Sequence, residues 1–497
     1  MVGVAGAQQG AAHTRMAPDW FDGATVLLTA LFVLARLLRP APAELMQVDS
    51  PDYLSFAPTR TAGYPLFLRL VERLPDGLHG LPLLQFGLYG LAALFLCSSF
   101  RRLSYSKFAS TLLLALLLGN GQVTRLSFMI MTESLFLSCL ILLLGFFCLL
   151  LRAPRWPTLA LASLVTGLAV LIRPAGYALV VSLPVVAWWC RRDGLPARQA
   201  VLAAVLPYLV VLGGGIAAYH AKHGLWRTET FVGRTLLGKA AAVADAARPE
   251  KGREIIRAIA AAVAPDRAAI ARGPSWLDRF RLTVPYYDTW RYKTAYDALL
   301  AHTEIPKDDL AALDRSMAHV SVAIIAAAPG AYLADVALNY GALWWLPDAV
   351  THAELAHFRA LLSALEPLPD LGRYPAWHHE HSDGVIWVLR GLMLTAFAAS
   401  LWWGGRLVAG AVVHRPLSPL ARLGFVAGLL VHASFLLTAA VEAALPRYAW
   451  AMWPALSILF VSAAFVCSEQ VRRALAVLGA LRSSSMEQGH SHGGAKV

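Results

Sequence analysis

Two acids, a tyrosine and an arginine fall close together early in the chain. They read Val48-Asp49-Ser50-Pro51-Asp52-Tyr53, then Arg60-Thr61-Ala62-Gly63-Tyr64-Pro65. The stretch follows the first apolar run, so its carboxylates stand at the mouth of a membrane segment. There an acid of suitable pKa can take the proton from a hydroxyl nucleophile; a solvated turn is the competing reading. Glu133, in Met131-Thr132-Glu133-Ser134, opens a long apolar run. An ionisable residue so placed is a functional candidate by default, and a helix-capping acid is the alternative. Arg173, before Pro174, closes another apolar run. A cation there is costly unless paired, and its planar fork suits phosphate or carboxylate. A simple ion pair with Glu133 also satisfies it and is compatible with function. Arg447-Tyr448 ends the short turn that begins at Glu442, as a site element or as an interfacial anchor. Acids and arginines gathered at one mouth suit a polar reaction on a lipid-linked phosphate. The arginine stabilises the charge on the leaving phosphate, and the acid acts as base.

The elements that must position these residues are membrane spans. Of 497 residues, 58% are hydrophobic and only 15% charged, and the mean hydropathy is +0.55. A soluble domain carries about 25% charged residues, so the solvent of this chain is lipid rather than one large aqueous core. Apolar runs occupy 23–40, 82–100, 107–120, 128–151, 157–172, 174–190, 199–219, 384–405, 420–441 and 447–467. They predict an all-α, polytopic membrane helix bundle of about ten spans with extracytoplasmic helical loops. Arg173-Pro174 divides 157–190 into two short helices meeting near one face. With the N-terminus inside, the inner loops hold Arg101, Arg102 and Lys107; Arg152 and Arg155; Arg191, Arg192 and Arg198; and Arg406, Arg415 and Arg422. This is the positive-inside pattern, repeated loop by loop. It accounts for the net charge of +12 without a nucleic-acid partner.

The expected organisation is a cytoplasmic segment 1–22, an N-terminal membrane module 23–219 carrying the first outer loop 41–81, and an extracytoplasmic loop region 220–383. C-terminal spans 384–467 and a polar cytoplasmic tail 468–497 complete it. The first run reads as an uncleaved span, because Arg36, Arg39 and Pro40 close it without a clean small-residue site. Residues 329–348 either cross the membrane or lie along its surface. A crossing would put Arg406, Arg415 and Arg422 outside, so an interfacial helix with Trp344 and Trp345 in the aromatic belt is expected. The five cysteines avoid both long outer segments and show no CxxC pair, so they read as small hydrophobes. His378-His379-Glu380-His381 lacks metal-ligand spacing and reads as a loop before a span; His490 and His492 lie in the tail. No metal site is assigned.

The sequence resembles the GT-C class of integral membrane glycosyltransferases, in particular the bacterial dolichyl-phosphate-mannose-protein mannosyltransferase-like group. The resemblance rests on Asp49-Ser50-x-x-Tyr53 with Arg60-Thr61-x-Gly63-Tyr64-Pro65, on Gln85, on Thr132-Glu133-Ser134, on Gly167 with Arg173-Pro174, and on Arg447-Tyr448. It extends from about residue 45 to 455, with little from 220–380. It implies a polyprenyl-phosphate-linked sugar as donor, a glycan, lipid or protein acceptor, and reaction on the extracytoplasmic face of a bacterial inner membrane. It implies Asp49 as base, with Asp52 as the second candidate. Arg60, Tyr64, Glu133, Arg173, Arg447 and Tyr448 would bind the donor phosphate or substrate. No cofactor is firmly implied; a divalent metal is compatible with the resemblance. No large soluble domain follows the last span, so acceptor choice by such a domain is not expected. Three other classes compete, one of them a non-catalytic membrane scaffold, for which Asp49→Asn would be harmless. A transporter or flippase would favour repeats and midplane charges. A lipid-linked glycan ligase or polymerase would use the late loop, where Arg227, Arg234, Arg279, Arg281 and Arg291 lie.

Overall fold

Lipid offers no partner to a backbone amide, and a helix satisfies its amides within one segment. The computed structural model describes residues 20–38, 46, 49–244, 254–345, 383–414, 417–468 and 470. Among these residues all regular structure is helical, and the fold is an all-α bundle. Six helices are long and apolar enough to cross a membrane: Gly77–Ser104, Glu133–Arg152, Ala197–His223, Leu310–Ala327, Trp387–Val412 and Pro419–Val441. Shorter apolar helices run over Asp22–Ala35, Lys107–Gly119, Trp156–Ile172 and Trp453–Ser468. All of these except Leu310–Ala327 fall on apolar runs read from the sequence. Leu310–Ala327 belongs instead to the stretch expected to be loop. The 378–381 histidine motif and the tail histidines lie outside the described residues.

The helix junctions follow local chemistry. Ser106 and Ser418 cap the helices that follow them, accepting from Ala109 N at 3.1 Å and Ala421 N at 3.3 Å. Pro174 disfavours helical backbone at the residue before it, and Arg173 is extended (φ −154°, ψ 134°). A 3₁₀ turn, Pro174–Gly176, then leads into Tyr177–Val180 and Ser182–Arg192. The expected pair of short helices is therefore present. Pro207 lies inside Ala197–His223, where a proline ring blocks one helical bond. Ser163 compensates from the neighbouring helix: its Oγ donates to Ala204 O at 2.7 Å and accepts from Tyr208 N at 3.1 Å.

Among the described residues two large apolar cores result, beside two small clusters around Tyr64 and Phe56. The larger joins the long helices, with Leu96, Leu140, Leu144, Phe147, Val426 and Leu430 fully buried. Small residues set its approach distances, as is common where helices pack in lipid: a Cβ on Gly145 would lie 2.5 Å from the Phe95 ring. The second core joins Val232–Val243, Glu254–Ala271, Trp276–Thr289, Trp290–Thr294, Ala295–Leu300 and Leu310–Ala327 through Leu237, Ile259, Trp290, Leu313 and Ile324. Ala443, in the turn before Arg447, also belongs to it.

Pro329–Trp345, expected along the membrane surface, packs lengthwise against Pro419–Val441. Tyr332 donates to Ala440 O at 2.8 Å, while Trp344, at the other end, packs against Phe397, His432 and Phe435. It thus descends beside Pro419–Val441 to the level of His432, about 14 Å from Val441 at a helical rise of about 1.5 Å per residue. Trp344 is buried in the bundle, and Trp345 meets Arg390 and Trp387.

Asp314 joins two helices of the second core. Its Oδ1 accepts the Gly233 amide at 2.7 Å, capping the start of Val232–Val243. The approach is so close that a Cβ on Gly233 would lie 1.9 Å from Asp314 O. Backbone cannot yield as a side chain can, so Gly233→Ala is expected to destabilise the protein by about 1–3 kcal/mol or more. Gly214→Ala, with nothing within 4 Å, is the control. Thermal unfolding in detergent checks this; equal midpoints for the two variants would contradict the packing described.

Candidate functional site

The first loop is fastened before it presents any charge. Ser50 Oγ donates to Ile130 O at 2.9 Å, and Thr61 Oγ1 to Ile172 O at 3.3 Å. Pro58 O accepts from Tyr219 Oη at 2.6 Å and from Thr230 N at 2.9 Å and Oγ1 at 2.8 Å. Gly63 sits so close to the end of Trp156–Ile172 that a Cβ there would lie 2.6 Å from Leu171 C and O. These contacts hold the Arg60-Thr61-x-Gly63 segment against the chain that carries Arg173.

Arg60 clamps both acids of the loop. Its Nη2 lies 2.7 Å from Asp49 Oδ1 and 2.9 Å from Asp52 Oδ2, its Nε donates to Asp52 Oδ2 at 3.2 Å, and its guanidinium stands 4.7 Å over the Tyr53 ring. Thr59 adds a hydroxyl to Asp52 at 3.3 Å. Arg447 approaches the other oxygen of Asp49, Nη1 to Oδ2, at 3.8 Å. Burial pushes the Asp49 carboxyl up, but Arg60, Arg447 and Arg291 outweigh it and hold the group below its ordinary 3.8. Asp49 is therefore ionised at neutral pH.

Glu133 and Arg173 form the second pair. Glu133 starts Glu133–Arg152, its side chain only 3% exposed, and Oε1 lies 2.8 Å from Arg173 Nη1. That nitrogen makes no aligned hydrogen bond despite its burial. Tyr448 bridges to the last turn, its ring centre 5.3 Å from the Arg173 guanidinium and 5.2 Å from that of Arg447. Arg447 Nη2 also donates to Tyr448 Oη at 3.3 Å, while its buried Nε has no hydrogen-bond partner.

The structure thus brings Asp49, Asp52, Arg60, Glu133, Arg173, Arg447 and Tyr448 to one face. Tyr64 departs from its expected substrate-binding place. It is fully buried, and its hydroxyl donates to Gln85 Oε1 at 3.1 Å. Gln85 Nε2 in turn donates to Ser127 O and Met129 O, each at 3.0 Å. Both side chains fasten the loop to the 3₁₀ turn and bends that lead to Glu133 and are buried there.

Sequence reasoning named Arg291 only for the ligase or polymerase alternative and did not join it to the other candidates. Trp290–Thr294 is a π-turn, a form that recurs at functional sites. It turns Arg291 onto Asp288 at 2.5 Å and onto Glu442 at 2.6 Å. Phe231 lies between two cations, its ring centre 5.9 Å from the Arg60 guanidinium and 5.6 Å from that of Arg291. Burial and the neighbouring Glu442 raise the Asp288 carboxyl despite Arg291 and Arg447. The spacing Asp288-x-x-Arg291 was the available signal, hidden among many charged pairs of the loop helices. Among the described residues no group of three or more His, Cys, Asp or Glu side chains is placed to hold a metal.

Removing the Arg173 side chain strands a buried carboxylate. Arg173→Ala is expected to destabilise by about 3–5 kcal/mol, and the double variant Glu133→Gln/Arg173→Ala to recover part of that loss. Additive losses in thermal unfolding would argue against the pair. A second expectation concerns Glu229, beside Arg60. Burial, with Asp314 adding to it and Arg60 opposing, pushes its carboxyl up from 4.5 to about 7. A raised carboxyl contributes stability that is complete below its unfolded value and is lost as pH rises through the folded one. The unfolding temperature should therefore fall between about pH 5 and 8, and Glu229→Gln should flatten that slope. An unchanged slope would refute the assignment.

No family model matches the chain, and neither a curated protein nor a solved structure matches it.

Proposed function

We propose that this chain is a membrane glycosyltransferase that moves a sugar from a polyprenyl-phosphate donor to an acceptor hydroxyl. One observation carries the reading: an ionised carboxylate, Asp49, stands 3.8 Å from Arg447, whose buried Nε has no hydrogen-bond partner. A base and an unfilled anion donor are thereby side by side at one end of an apolar bundle.

In the proposed reaction the acceptor hydroxyl gives its proton to Asp49. Its oxygen forms a bond to the sugar's anomeric carbon as the bond from that carbon to the phosphate oxygen breaks. Polyprenyl phosphate leaves with the electron pair, and Arg173 and Arg447 stabilise its charge. Phosphate binding also draws Arg447 from Asp49 and so raises the basicity of the carboxylate when donor is present. Asp52 is the second candidate, and Arg60 holds one of its oxygens through two nitrogens.

The sidedness of this reading comes from the helix ends. Leu81–Ser104 and Glu133–Arg152 carry Arg101, Arg102 and Arg152 in their last turns, and Glu133 stands at the opposite end of the second. Arg101 pairs with Asp22, and Arg422 with Asp193, at that far face. Basic residues mark the cytoplasmic side, so the site opens on the extracytoplasmic face of a plasma membrane. About ten spans, with the short helices and 174–190 included and the second core outside, complete the topology. A lipid-linked glycan ligase is a second reading, favoured by Arg291 from the late loop.

Transfer from a polyprenyl-phosphate sugar in membranes tests the reading. Asp49→Asn, whose amide oxygen can still accept from Arg60, is expected to lower the rate about 100-fold or more. Arg173→Lys, which retains the charge against Glu133, is expected to lose the fork and weaken donor use. Wild-type rates in both variants would end the assignment. Transfer only from diphosphate-linked oligosaccharides would select the ligase.

A further inference from the structure

Beyond the phosphate contacts assigned to Arg173 and Arg447, Arg291 has features of a ligand-binding group. It is 7% exposed, its terminal nitrogens are held by Asp288 and Glu442, and its buried Nε has no hydrogen-bond partner. A buried donor of this kind is costly to leave unpaired. Two acids on the terminal nitrogens leave Nε as the donor still unused. Arg447 Nε is buried and without a hydrogen-bond partner in the same way, whereas Arg173 Nη1 is held by Glu133 at 2.8 Å. Arg291 lies within electrostatic range of Asp49 and of Tyr448, the residue that Arg173 and Arg447 flank. The three guanidiniums come from the end of one helix, from the π-turn and from the last turn. Unfilled donors of one sign from separate elements suit a tetrahedral phosphate, whose oxygens diverge.

We infer that Arg291 is a third phosphate-binding residue, so that the late loop is part of the donor subsite rather than a cover over it. The ligand class is a phosphate ester, bound through an oxygen on Arg291 Nε while Asp288 and Glu442 keep the guanidinium oriented. The inference rests on the donor reading above.

Binding of a short-chain prenyl phosphate and of inorganic phosphate to the purified full chain in detergent tests it without requiring transfer. Arg291→Lys keeps a cation against both acids but has no Nε donor. Its affinity for prenyl phosphate should fall about tenfold or more, with the ligand-free unfolding temperature retained. Glu442→Gln, which relieves Arg291 of one competing charge, should bind more tightly and serves if Arg291→Lys does not fold. Wild-type affinity in Arg291→Lys while Arg447→Lys is weakened would overturn the role of Arg291 and leave the donor reading standing. No improvement in Glu442→Gln would likewise count against Arg291. Failure of the wild type to bind either probe would overturn both. Equal affinity for the two probes, both lowered in Arg291→Lys, would support the contact and overturn a lipid-linked source.

Discussion

A charge at the edge of lipid must be met by an opposite charge, and this one constraint organises the site face. Asp49 and Asp52 meet Arg60; Glu133 meets Arg173; Asp288 and Glu442 meet Arg291; Arg447 closes on Asp49. The partners come from different segments, so satisfying the charges also assembles the tertiary structure. Nearly balanced charge keeps the cluster tolerable when half buried. It also keeps the guanidiniums oriented while leaving single N–H groups unused.

The backbone around these charges is held by a second polar network, built on one buried ion pair. Lys239, fully buried, meets Asp335 at 2.9 Å; Asp335 accepts from Tyr287 at 2.5 Å; and Asn339 Oδ1 accepts the Ala444 amide at 2.9 Å. This network runs from the second core to the turn that carries Arg447. The turn is therefore positioned by the late loop as much as by the spans it joins. The same is true of Phe231, wedged between Arg60 and Arg291.

Much of this is legible in the amino-acid sequence. Ionisable residues at the run ends expected outside are few, so Asp49, Glu133, Arg173 and Arg447 stand out, and most helices lie where the runs lie. Pro174 announced the break that exposes Arg173. Tyr64 misled because a tyrosine next to a charged motif looks like a substrate contact. Its spacing from Gln85 across two helices, which fixes its hydroxyl, is not visible along the chain. Arg291 was obscured for the opposite reason. In a loop rich in charged helical pairs, nothing local tells a buried arginine from a solvated one, and the π-turn that reorients it has no simple sequence mark. Leu310–Ala327 shows a similar limit: it is apolar enough to cross a membrane, yet it also packs in the second core.

The pairing of Asp49 with Arg447 joins an early loop to the turn before the last apolar helix. A chain emerging from the ribosome makes Asp49 first, then Glu133 and Arg173, which can neutralise one another at once. Arg291 must wait for Glu442, and Asp49 for Arg447, until nearly all the helices have been inserted. Assembly is thus ordered by charge: the N-terminal helices can settle early, whereas the mouth acquires its full set of counter-ions only in the finished molecule. A fragment ending before the last turn would carry most of the recognisable motifs and lack the counter-ions Glu442 and Arg447.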